Sequence, residues 1–210
     1  MQGIVNLGLV VLGNNLPVAR IDLDDFEGIL GPLELDIRAP VAIQAKSGSF
    51  VLQMMENRVS MEWSDPIPAD ARERMTRAMD LYANEYAGKK APTAMGQNFR
   101  GVLDSATPSQ EMLRSFLNTD RVERVLLSEN PAGSSLTLFF KRGRESRAQL
   151  VLAGSDGDER KISYAFNFHF DLTTPDSPSL TESLEDWEKS ERFAEESVDA
   201  LVGLIREGEG

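Results

Sequence analysis

The segment Ile162-Ser163-Tyr164-Ala165-Phe166-Asn167-Phe168-His169-Phe170-Asp171 alternates bulky apolar residues with small or polar ones along its whole length. Period two is the signature of a strand with one buried face and one wet face. Ile162, Tyr164, Phe166, Phe168 and Phe170 go inward, and Ser163, Asn167, His169 and Asp171 go outward. Much of the chain's aromatic content is therefore committed to a sheet core, and no catalytic constellation is apparent beside it.

The same period recurs elsewhere. Met1 to Leu12 reads as a first buried strand rather than a signal peptide, because it lacks a basic start and a clean cleavage site. Leu33, Leu35 and Ile37 alternate with Glu34, Asp36 and Arg38. Phe50 to Met55 and Arg58 to Trp63 flank Glu56-Asn57 as a tight hairpin. Pro92 to Leu103 is extended. Val122 to Leu127, Leu136 to Phe140, Ala148 to Ala153 and Ile162 to Leu172 complete a strand run joined by short loops of turn formers, which implies antiparallel pairing.

Helical periodicity marks the other segments. Asp22, Asp24 and Asp25 precede Phe26, Ile29 and Leu30, so a short helix is expected there, stopped by Gly31-Pro32. Ala71, Met75, Ala78, Met79, Tyr82 and Tyr86 place an amphipathic helix at about 68–87, closed by Gly88. Thr107-Pro108-Ser109-Gln110 is a capping-box start for a helix at about 108–118. Leu184, Trp187, Ala194, Val198, Leu201 and Ile205 share one side of a closing helix at about 180–206. The expected fold is α+β: antiparallel sheet in one or two segments, with long amphipathic helices packed on one face. At 210 residues this suits a single globular domain, 1–210, or two fused β-then-helix halves at about 1–104 and 105–210.

Several functions are disfavoured. The chain contains no cysteine, which excludes disulfides, thiolate nucleophiles and cysteine metal sites and suits a reducing cytoplasm. No apolar run approaches the roughly 18 residues that span a bilayer. The net charge of −12 is concentrated between Asp171 and Gly210, where acidic residues far outnumber basic ones. Such a surface repels a phosphate backbone, so direct nucleic-acid binding is disfavoured. It suits a solvated helix face, a docking face for a basic protein, or a nucleic-acid mimic. Glu185, Glu188, Glu195 and Glu196 form the expected outward set.

His169 is the only histidine, with Asp171 as the acid that would orient it as a base. No Gly-x-Ser-x-Gly elbow supplies a nucleophile. Asp22, Asp24 and Asp25, and also Asp156 and Asp158, are oxygen clusters of the type that hard cations take, but neither has EF-hand spacing. Helix-start acids and turn formation account for them, and no metal or cofactor is expected. Lys141 to Arg147 is the one basic cluster, at an expected hairpin tip; it suits a solvated turn, a grip on phosphate or an acidic partner, or pairing with another copy's acidic helix, for which Arg142 and Arg144 are the candidate counterpart.

The hairpin ending in Trp63, the helix after it, the extended Ala94-Met95-Gly96-Gln97-Asn98-Phe99-Arg100-Gly101 and the closing Phe193 to Ile205 follow one another in a familiar order. In that layout the chain resembles a sporadically distributed family of uncharacterised bacterial proteins. The resemblance implies bacterial or phage origin and carries over no functional residue. The function expected from the residues is a non-enzymatic protein-binding module, in the role of adaptor, immunity protein or complex subunit, with homodimerisation through sheet edges as a further expectation. The alternatives are an enzyme or small-ligand binder whose site assembles only in three dimensions, and a nucleic-acid mimic.

Overall fold

The structure, a computed structural model, describes residues 4–87, 92–105, 108–109, 135–141, 146–155, 158–173 and 179–207. The strand expected at 122–127, Arg142, Arg144 and Asp156 lie outside the described residues, as does the helix expected at 108–118 apart from its first two positions.

The fold is α+β, and the strands among the described residues belong to one antiparallel sheet. In chain order the strands are β1 (Ile4–Leu12), β2 (Glu34–Ala39), β3 (Ala42–Ser47), β4 (Phe50–Met55), β5 (Arg58–Ser64), β6 (Ala94–Asp104), β7 (Ser135–Lys141), β8 (Ser146–Ser155) and β9 (Asp158–Asp171). They form one nine-stranded sheet in the order β2-β3-β4-β5-β1-β6-β9-β8-β7. Among the described residues the α-helices are α1 (Asp24–Leu30), α2 (Ala71–Leu81), α3 (Leu180–Glu185) and α4 (Trp187–Glu207). The turn of helix that α2 was expected to continue through, Tyr82–Ala87, is π-helical.

Reading outward from the central pair gives the same pattern on each side. β1 is followed by β5, β4 and β3, and β6 is followed by β9, β8 and β7. Each half thus opens on its central strand, builds a meander that returns to it, and then runs into a helix.

The alternation read from the sequence sets the two faces. On one face, Leu7, Leu9 and Val11 stand opposite Trp63, Met61 and Val59 of β5, and opposite Phe99, Gln97 and Met95 of β6. Phe166 and Phe168 continue the row opposite Phe99 and Gln97, with Leu150 and Ala148 beyond them. All are buried.

The last helices contact this face. The Trp187 ring meets Phe99 edge-on, with centroids 6.3 Å apart. Phe193 meets Phe140, Phe166 and Phe168 in the same manner at 5.7, 6.3 and 5.9 Å. Such edge-to-face geometry matches the ring quadrupoles. The Gln97 Nε2 donates to the Ser183 carbonyl at 2.9 Å. The Arg74 guanidinium of α2 lies 6.0 Å from the Trp63 ring centroid on the same face.

β3 escaped the sequence reading. Its inward residues are Ile43 and Ala45, and alanine gives the period-two signal little amplitude. The start of α3 is a full capping box: the Ser179 hydroxyl accepts the Glu182 N–H, and the Glu182 carboxylate accepts the Ser179 N–H at 2.7 Å. Gly31 ends α1 with φ 90°, a backbone that favours glycine.

Candidate functional site

The second face of the sheet carries the residues that alternate with the core. On the central strands they are small or amide-bearing: Gly8, Ser60, Gly96, Asn98 and Asn167. A Cβ placed on Gly8 would lie 3.4 Å from the Asn98 Cβ, so β1 and β6 approach closely there. The Asn6 amide donates to Glu62 at 2.7 Å and to the Ser64 hydroxyl at 3.3 Å. That network closes the β5 side.

On the β7 side the same face opens into a shallow cavity of about 320 Å³, lined by Phe139, Arg147, Ala148, Gln149, Asn167 and His169. Strand register assembles it. Arg147 pairs with His169 and Gln149 with Asn167 across β8 and β9, while Phe139 pairs with Gln149 across β7 and β8. The cavity therefore joins His169 to Arg147, the last residue of the basic cluster. Asp171 sits two residues further along β9. Its carboxylate accepts the Thr173 hydroxyl at 2.6 Å and the Thr173 N–H at 2.9 Å. Those bonds hold its pKa below the ordinary carboxylate value, and the positive fields of His169 and Arg147 assist. The site offers an aromatic platform, two amides, an imidazole and a guanidinium, groups that can hold a ligand.

The other sequence candidates fall elsewhere. The Asp22 Oδ1 accepts the Asp24 N–H at 3.3 Å, a turn-forming bond. Asp25 accepts the Tyr86 hydroxyl, whose ring stacks on Phe26, so this carboxylate ties α1 to the π-helical turn. The Asp158 Oδ1 accepts the Arg160 N–H at 3.0 Å. Among the described residues no three such ligands converge on a point that would hold a metal ion. Glu185, Glu188 and Glu196 are exposed, whereas Glu195 is half-buried. Glu195 acts on Tyr164, whose hydroxyl is pushed up to about 12, mainly by burial and in part by that carboxylate.

Sequence reasoning missed two features. Phe139 lies in the run Leu138-Phe139-Phe140, where three apolar residues mask the alternation; only the register with Gln149 shows that its ring points away from the core. Glu191 was hidden in an acidic helix. It is buried and ion-paired to Arg72 at 3.1 Å. The signal available was its position beside Trp187 and Ala194 on the apolar stripe.

No protein-family model and no curated protein sequence matches this chain. No helix among the described residues is long and apolar enough to cross a membrane.

Proposed function

We propose that this protein is a non-enzymatic, cytoplasmic protein-binding module, an adaptor, immunity protein or complex subunit, that presents the outer side of α3 and α4 to a basic partner. One observation carries the reading. Glu185, Glu188, Glu196 and Asp199 are exposed on helices whose opposite side buries Leu184, Trp187, Ala194 and Val198. In this reading the long helices cover one face of the sheet, and their acidic ridge steers the partner's approach. Lys189 and Arg192 interrupt that ridge and pair locally with Asp186 at 2.5 Å and Glu188 at 4.0 Å. The interruption weighs against a nucleic-acid mimic, which needs an unbroken run of negative charge. Homodimerisation would use the edge strand β2, where Leu35 and Ile37 are exposed. A bacterial or phage source is part of this reading, resting only on the resemblance in element order, which assigns no activity.

The test is affinity capture from the source cells with the wild-type chain and with a Glu185→Lys, Glu188→Lys, Glu196→Lys variant. A basic partner retained by the first, lost by the second and released by raised salt is the expected result. Identical captures would sink the reading.

A second reading, a small-ligand binder, is favoured by the cavity at Arg147 and His169.

A further inference from the structure

We infer that the cavity on the second face of the sheet binds a small nucleotide-type ligand, a planar nitrogen heterocycle carrying a phosphate group. This rests on the small-ligand reading and gives it a chemical class; it is independent of the acidic helix ridge.

The argument starts from what these side chains lack. Arg147, Gln149, Asn167 and His169 make no side-chain hydrogen bond to another described residue. Elsewhere on the same face the amides are engaged: Asn6 bonds Glu62, Gln53 bonds Gln44 at 2.7 Å, and Gln44 bonds Asp36 at 3.1 Å. Among the described residues the amides of this face without such a bond, Asn98, Asn167 and Gln149, lie in one row across β6, β9 and β8. The row ends beside Phe139, the most exposed large hydrophobic side chain among the described residues, at 77% of its full accessibility. A lone exposed aromatic is ordinary. An exposed ring flanked by unengaged hydrogen-bonding groups in a concave setting is the usual make-up of a ligand site.

The charge is local and opposite to that of the chain. Against an overall net charge of −12, this end of the face holds Arg147 directly opposite Lys141 on β7 and opposite His169 on β9. Asp171 on the same strand turns its carboxylate to Thr173. A guanidinium fork matches the paired oxygens of a phosphate. An anion that reaches this site must cross a repulsive outer field, so recognition requires close contact rather than long-range steering.

The amides narrow the class. A simple aromatic acid offers acceptors only, and a site for it would need donors only. Gln149 and Asn167 each present a carbonyl and an NH₂, a pairing that complements the mixed donor and acceptor edge of a nucleobase. Phe139 supplies the face on which a base stacks. Phe139 lies opposite Gln149 and diagonal to Arg147, a separation of about 7–8 Å in an antiparallel pair, comparable with the reach from a base to its own phosphate. The volume of about 320 Å³ is at the small end of ligand cavities and suits one nucleotide unit rather than a dinucleotide.

The experiment is an NMR titration of the full chain with adenosine 5′-monophosphate, with adenosine and inorganic phosphate as separate arms. The expected result is saturable shifts confined to the Gln149 and Asn167 side-chain amides and the backbone around Arg147 and His169. Adenosine and phosphate alone should bind about tenfold or more weakly. Phe139→Ala and Arg147→Ala should each weaken the monophosphate about fivefold or more, while leaving the remaining spectrum unchanged. Equal binding of phosphate alone, shifts mapping elsewhere, or indifference to both substitutions would each overturn the proposal. If benzoate moves these resonances and the monophosphate does not, the nucleotide class is wrong and the small-ligand reading stands. If no probe moves them, both fall.

Discussion

The Arg72 guanidinium lies 3.1 Å from the carboxylate of Glu191, joining α2 to α4 across 119 residues of sequence. Glu191 is only 8% exposed. Burial raises its pKa above the ordinary 4.5, and Glu195 adds to that; Arg72 opposes both but does not cancel them. Between 4.5 and the raised value the folded chain holds a proton that the unfolded chain has released. Stability contributed by this group therefore falls as pH rises through that window. Glu191→Gln should gain stability relative to wild type as pH rises from about 4 to 7, measured by urea unfolding at each pH. A constant difference, or one of the opposite slope, would contradict this account.

Removing Arg72 leaves that carboxylate buried without its partner. Arg72→Ala should cost about 1–3 kcal/mol at neutral pH. In a Glu191→Gln background the same change should cost much less, because no charge is left stranded. The double-mutant cycle isolates the pair, and purely additive losses would assign Arg72 a packing role instead.

Phe193 is the single ring of α4 that meets Phe140, Phe166 and Phe168. Phe193→Ala should destabilise by about 3 kcal/mol, since its three neighbours belong to an ordered sheet face and collapse poorly into the space. Phe193→Leu should lose about 1 kcal/mol by keeping most of the apolar volume. Thermal unfolding of both variants checks the ratio, and near-equal losses would show that ring geometry matters more than volume.

The capping box at α3 carries its own pH dependence. The Ser179 N–H and hydroxyl lower the pKa of Glu182 below 4.5. Its contribution is present above the unfolded value and disappears as pH falls through the lowered one. Ser179→Ala should cost about 1 kcal/mol at pH 7. The deficit should shrink on acidification as Glu182 loses its charge in both proteins.

Gln97 is fully buried between Leu9 and Phe168, with its Nε2 on the Ser183 carbonyl. Gln97→Glu replaces that donor with an acceptor and invites a charge into the core, so a loss of about 3 kcal/mol is expected at pH 7. The loss should diminish toward pH 4, where the carboxyl is neutral and donates again. A pH-independent loss would place the cause in packing alone.

Local patterns made much of the fold legible. The Ile162–Asp171 alternation, the Glu56-Asn57 hairpin and the stripe through Trp187, Ala194 and Val198 are each written within one element, where neighbouring residues report the same face. β3 was missed because Ala45 contributes almost no contrast. Glu191 was missed because charge suggested solvent, whereas the stripe on either side of it pointed inward.

The cavity obeys a different logic. Its members come from β7, β8 and β9, and no window of sequence contains them together. His169 was visible as a polar residue on the outward side of a strand, and Arg147 only as the end of a basic cluster before one. Their adjacency, and the outward turn of Phe139, follow from which strands pair and in what register.

The sequence alone determined the periods: which segments are strands or helices, and which side of each is apolar. Those are properties of backbone geometry and nearby side chains. Strand order, register and the burial of Glu191 were decided by the tertiary structure, because they depend on the pairing of segments far apart in the chain. That pairing is selected by how the apolar faces fill one core together.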